Sequence, residues 1–148
     1  MSTKVVNTAP LGEKVFIKSA EGQVAMTKPW DAHFRDGSAT LKFDPVFELL
    51  GVTTTATYVG VGFKTFTTID LNVNITGTTT SVQGTTLMVL PFKAFQDGFL
   101  NVFDSTFGVK LFLGVGFIPA NDNKCYLPSW VSKPNISLIG SYRAQAGS

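Results

Sequence analysis

From Phe63 to Thr76 the chain alternates apolar and polar positions with a period of two, as a half-buried antiparallel strand requires. Ile69, Leu71, Val73 and Ile75 share one face, and Thr68, Asp70, Asn72, Asn74 and Thr76 share the other. Gly77 is expected to end this strand, with Thr78 to Gln83 a polar turn region closed by Gly84. A second alternation sets Val109, Leu111, Leu113, Val115 and Phe117 on one face, opposite Lys110, Phe112, Gly114 and Gly116. Shorter runs at Thr53 to Tyr58, Thr86 to Leu90, Phe99 to Phe103, Cys125 to Leu127 and Ile136 to Tyr142 also read as strands. Thr86 to Leu90 is stopped by Pro91, and Asp97-Gly98, Thr106-Phe107-Gly108 and Asn121-Asp122-Asn123 are turn signals. Strands at this spacing predict an all-β, antiparallel β-sandwich of jelly-roll-like form. No fixed-period repeat argues for a propeller or solenoid.

The first 50 residues differ in texture. Val15-Phe16-Ile17 and Gln23 to Met26 read as short strands about a Glu21-Gly22 turn. One short helical turn is predicted near residues 28–35, where Thr27 can cap, Pro29 lies in the first turn, and Trp30 and Phe34 are spaced i,i+4. Phe43, Val46, Phe47, Leu49 and Leu50 cluster around Pro45 as a second short turn. The expected division is an amino-terminal docking segment over 1–50 and a sandwich domain over 51–148. Trp30 and Phe34 then either anchor a neighbour or cap the core. The tail after Arg143 is small and polar and is expected to fray.

Composition supports the β reading. Thirteen phenylalanines and eighteen threonines among 148 residues suit pleated, half-buried surfaces. A mean hydropathy of +0.21 favours a chain that buries further surface against copies of itself or a larger assembly. The net charge is only +2, and the twelve Lys and Arg are scattered, which argues against nucleic acid as a partner. Neither a signal peptide nor an apolar run long enough for a membrane-spanning helix is read, so no membrane insertion is expected. The lone Cys125 excludes an internal disulfide and any multi-cysteine metal site.

Candidate chemistry is sparse. His33, the one histidine, lies within the helical turn and reads as structural or surface. There is no Gly-x-Ser-x-Gly elbow, Walker loop or dinucleotide fingerprint. Gly60-Val61-Gly62 and Gly114-Val115-Gly116 instead suit bulges or close backbone contacts. The ten carboxylates lie mostly in or beside turns, and Asn121-Asp122-Asn123 falls short of a calcium loop. The expectation is therefore no enzyme, no cofactor and no metal. A small hydrolase is the least favoured alternative. The polar face of Asp70, Asn72 and Asn74 could meet water, subunits about a threefold axis, or sugar hydroxyls, with Tyr58, Tyr126 or Trp130 stacking on the ring.

The strand Thr68 to Gly77, the later Leu90-Pro91-Phe92 and the closing Ile139-Gly140-Ser141-Tyr142 resemble the small carboxy-terminal β-domains of bacteriophage tail fibres and tailspikes. Glu21-Gly22 followed by Trp30 and Phe34 is similar to an upstream segment of such phage structural proteins. The resemblance covers about two-thirds of the chain, through short structural motifs. It implies a trimer of jelly-roll-like subunits located in a virion, contacting other virion proteins and a host-surface glycan. The chain is then a small fibre, spike or decoration subunit. A carbohydrate-binding module of a cell-surface recognition protein is the alternative.

Overall fold

The computed structural model describes residues 11–12, 14–30 and 38–145. The chain is nearly all β, 60% strand against 2% helix, with antiparallel sheets curled into a half-barrel. This is the all-β, sandwich-like class expected. The strands in chain order are β1 (Phe16–Lys18), β2 (Val24–Met26), β3 (Ser38–Phe43), β4 (Val46–Glu48), β5 (Gly51–Val52) and β6 (Thr57–Thr65). They continue as β7 (Thr68–Ser81), β8 (Leu87–Val89), β9 (Gly98–Asp104), β10 (Leu111–Ile118), β11 (Lys124–Tyr126) and β12 (Trp130–Arg143). β1 and β2 pair only with each other, across a turn in which the Ser19 amide donates to the Gln23 carbonyl. Lys28 to Trp30 are helical, as predicted; the rest of that turn, with His33 and Phe34, lies outside the described residues.

Ten strands form one sheet in the order β3-β6-β7-β12-β9-β10-β11-β8-β4, with β5 added against β7. β3 and β4 lie at opposite edges of that order, yet only Asp44 and Pro45 separate them in the chain. So short a link spans about 10 Å at most, and the two edges must therefore approach each other there. The sheet rolls around an apolar interior built from Ile69, Leu71, Val73 and Ile75 of β7 and Leu100 and Val102 of β9. Ile136 and Leu138 of β12 complete its centre, all of them buried.

This topology corrects the expected division at residue 50. β3 and β4 belong to the main sheet, and Leu41, Phe43 and Phe47 pack against its core. The apolar cluster around Pro45 is a pair of strands joined at a corner rather than a turn. The alternation from Phe63 to Thr76 also proves to be two strands. A two-residue turn at Phe66-Thr67 breaks it, with Phe66 in the left-handed region at φ 52°. The alternation changes phase here, since Phe63, Phe66 and Ile69 stand three apart, but Phe-Thr carries no turn chemistry to mark the hairpin.

Gly77 does not end β7, which continues to Ser81. It takes φ 124° beside the Ala56 backbone, and pairing with β12 gains an extra β7 residue between Thr79 and Thr76. The expected polar turn therefore begins only after Ser81. Pro134, which has no N–H, lies where the β12 register shifts, as a proline inside a sheet must. The tail stays fixed further than expected. Ala144 bridges to Ala94, and the Gln145 amide donates to the Lys93 carbonyl.

Candidate functional site

The expected faces are reversed on the second half of β10, past the register shift at Leu113. On β10, Gly116 and Ile118 are buried, while Val115 and Phe117 face out. Adding a Cβ to Gly116 would place it 2.5 Å from the Cys125 sulfur, so only glycine lets β11 lie this close. On β6, Gly60 turns inward against the Phe43 ring, and Val59, Val61 and Phe63 turn outward. The Gly-x-Gly spacing of each strand thus marks the core side, and the bulky residues between lie on the surface. That spacing was the available signal; the apolar alternation pointed the other way.

Register places these residues in rows across the outer wall. One row runs Val59, Asn74, Ser137, Phe103 and Phe112 through β6, β7, β12, β9 and β10. The next runs Val61, Asn72, Ile139, Asn101 and Val115. Phe63 faces Asp70 in a third, which Ser141 extends, and Phe117 pairs with both Phe99 and Tyr126. Two apolar stripes therefore flank a polar centre. The β6 stripe leaves Val59 58%, Val61 38% and Phe63 44% exposed. The β10 stripe leaves Phe112 61%, Val115 43% and Phe117 38% exposed, and Phe99 beside it 55%. Phe99 and Phe117 stack tilted at 5.6 Å, and Phe103 meets Phe112 edge-on at 5.8 Å.

The polar centre is tied to its neighbours. The Ser137 hydroxyl donates to Asn74 Oδ1 at 2.9 Å, Asn74 Nδ2 donates to Asn72 Oδ1 at 3.2 Å, and the Ser141 hydroxyl donates to Asp70. Asp70, Asn72 and Asn74 therefore form an exposed ladder that already spends part of its hydrogen-bonding capacity within the sheet.

The structure does not bring the remaining candidates to this ladder. Trp130 is buried in the core, where its indole Nε1 donates to Thr79 Oγ1 at 3.1 Å, so it presents no ring for a sugar. Tyr126 lies four strands away on β11, beside a groove of ≈ 440 Å³ that includes Phe117, Leu113, Gln83 and Ser129. Tyr58 packs inside against the Phe47 ring at 5.0 Å. Trp30 is half-buried within the short helical turn.

Titratable groups with displaced pKa values are structural. The Thr106 hydroxyl and amide both donate to the Asp104 carboxylate and lower its pKa, with Lys133 at 3.6 Å adding a smaller attraction. Burial pushes the Cys125 thiol up to about 12 and also raises the Tyr142 hydroxyl. A thiol held neutral is a poor nucleophile. Among the described residues no cluster of His, Cys, Asp and Glu could hold a metal, and no helix is long and apolar enough to cross a membrane.

Compared with known proteins, the chain matches no family model, no curated protein and no solved structure.

Proposed function

We propose that the chain is a structural subunit of a larger homo-oligomeric assembly, a small fibre, spike or decoration protein of a virion. The observation that supports subunit status is the outward face of β6 and β10, where valine and phenylalanine lie exposed on a fold that already has its own apolar interior. Apolar stripes on an outer wall mark surfaces that another protein covers. The placement in a virion, and the trimer that goes with it, rest on the resemblance of the Thr68 to Gly77, Leu-Pro-Phe and Gly-Ser-Tyr segments to phage fibre domains. Sedimentation of the purified protein tests the assembly, and a stable monomer at micromolar concentration overturns it. Capsid or tail genes beside its own would support the virion assignment.

A second reading, recognition of a cell-surface glycan, draws on the groove beside Tyr126, where aromatic, glutamine and serine side chains meet. Binding on a glycan array that Tyr126→Ala abolishes would favour it.

A further inference from the structure

We infer that the groove beside Tyr126 binds a neutral sugar, read by hydroxyl hydrogen bonds and ring stacking rather than by charge. The inference rests on the glycan reading above and names the class of sugar and the side chains that meet it.

The groove forms where two connections run side by side. The turn after β7 contributes Gln83 and Gly84, the link from β11 to β12 contributes Pro128 and Ser129, and β10 and β11 contribute Phe117 and Tyr126. The Leu127 amide donates to the Thr86 carbonyl, and the Ser81 hydroxyl donates to the Pro128 carbonyl at 2.7 Å, so the two connections are held together. A volume of ≈ 440 Å³ falls within the roughly 300–1,000 Å³ of small-ligand sites. Backbone geometry shapes one wall. The β10 ladder shifts register between Phe112 and Gly114, and Gly114 takes φ 149°. A Cβ there would stand 2.9 Å from Pro128, so glycine lets the link close against the bulged strand. The groove is built into the fold before any ligand arrives.

Three polar side chains on its wall have hydrogen-bonding capacity to spare. No hydrogen bond joins the Gln83 amide, the Tyr126 hydroxyl or the Ser129 hydroxyl to another described residue. Each of the three both donates and accepts, as sugar hydroxyls do. Phe117 and Tyr126 are register partners on adjoining strands, and Phe99 stacks on Phe117 at 5.6 Å. A pyranose suits this combination, because its C–H face meets an aromatic wall while its rim of hydroxyls meets the polar groups. A wholly apolar ligand would strand those three groups out of water.

Among the described residues that line the groove, none is charged. A carboxylate, sulfate or phosphate entering it would shed water with no cation to replace it. The lining therefore favours neutral over acidic sugars.

The test is a glycan array carrying neutral, sialylated and sulfated glycans, probed with the full chain at low and at high salt. Neutral glycans should bind, with signals that salt leaves unchanged. For the strongest neutral glycan, calorimetry should show Gln83→Ala and Ser129→Ala each weakening binding roughly 3–10-fold, the loss of one neutral hydrogen bond. Tyr126→Phe keeps the ring and should lose no more than either, whereas Tyr126→Ala should abolish binding. An array silent for every glycan overturns both this inference and the glycan reading. Binding confined to sialylated or sulfated glycans, or lost at high salt, overturns the neutral class alone. Neutral binding that no substitution at Gln83, Tyr126 or Ser129 weakens overturns the groove as its site. Circular dichroism melts check folding, and if Tyr126→Ala fails to fold, Gln83→Ala and Tyr126→Phe are judged by the same outcomes.

Discussion

The Tyr142 hydroxyl donates to the Phe92 carbonyl at 2.9 Å and accepts from the Phe92 amide at 3.2 Å, with both residues buried. One side chain thereby binds the closing Gly-Ser-Tyr strand to the Leu-Pro-Phe segment fifty residues earlier. Two short motifs far apart in the sequence, Leu90-Pro91-Phe92 and Gly140-Ser141-Tyr142, are halves of a single contact. Tyr142→Phe keeps the ring and deletes both bonds. It should cost about 1–3 kcal/mol, lowering Tm by about 2–4 °C for each kcal/mol, as read by thermal unfolding.

Gly116 and Cys125 should be coupled in the same way. A methyl group at Gly116 has no room beside the buried sulfur. Gly116→Ala should destabilise by about 1–3 kcal/mol through overpacking. Cys125→Ala, added to it, should restore part of that loss. A double-mutant cycle by urea denaturation measures the coupling, and simple additivity would contradict the contact.

Acid should weaken the fold through Asp104. Its pKa is lowered in the folded state, chiefly by the Thr106 hydroxyl and amide, so its contribution is present above the unfolded value near 3.8. That contribution is lost as pH falls through the lower, folded value. Thr106→Val should remove about 1.5–3 kcal/mol at neutral pH and flatten the acid limb of a stability–pH curve.

Alkali should weaken it through Cys125 and Tyr142, whose raised pKa values give the opposite sign. Their contribution is complete below the unfolded thiol value of 9.0 and is lost as pH rises toward about 12, where the folded Cys125 ionises. Below pH 9, a thiol reagent should react with Cys125 only after denaturant is added.

Much of this was legible in advance, and the failures share one cause. The β7 alternation, with Ile69 to Ile75 inward, follows directly from a period of two, and β9 and the second half of β12 were read from their apolar runs, whereas Trp130 to Asn135 were not read as strand. Alternation identifies two faces without saying which is the core. On β7 the apolar side packs inward; on β10 glycine does, because Cys125 occupies the space a side chain would need. Trp130 was unreadable for a related reason. Its partner, Thr79, is 51 residues away and lies in a segment that reads as a polar turn.

The position of Trp130 makes a separate check possible. The chain has two tryptophans, so Trp30→Phe leaves Trp130 as the only indole. Its emission should be blue-shifted and resist acrylamide quenching, as befits a core ring. Red-shifted, readily quenched emission would return it to the surface and reopen it as a sugar platform.

Strand order has a consequence for the timing of folding. β12, the last strand among the described residues, lies in the middle of the sheet, between β7 and β9. As the chain emerges during synthesis, β3, β6 and β7 can form one half and β8 to β11 another, joined at the β3–β4 corner where β4 pairs with β8, but the β7 and β9 edges stay open until Trp130 to Arg143 arrives. Until then both halves present raw inner edges to whatever lies nearby. A cell making many copies at once therefore risks cross-pairing between nascent chains, and slower production should yield more soluble protein.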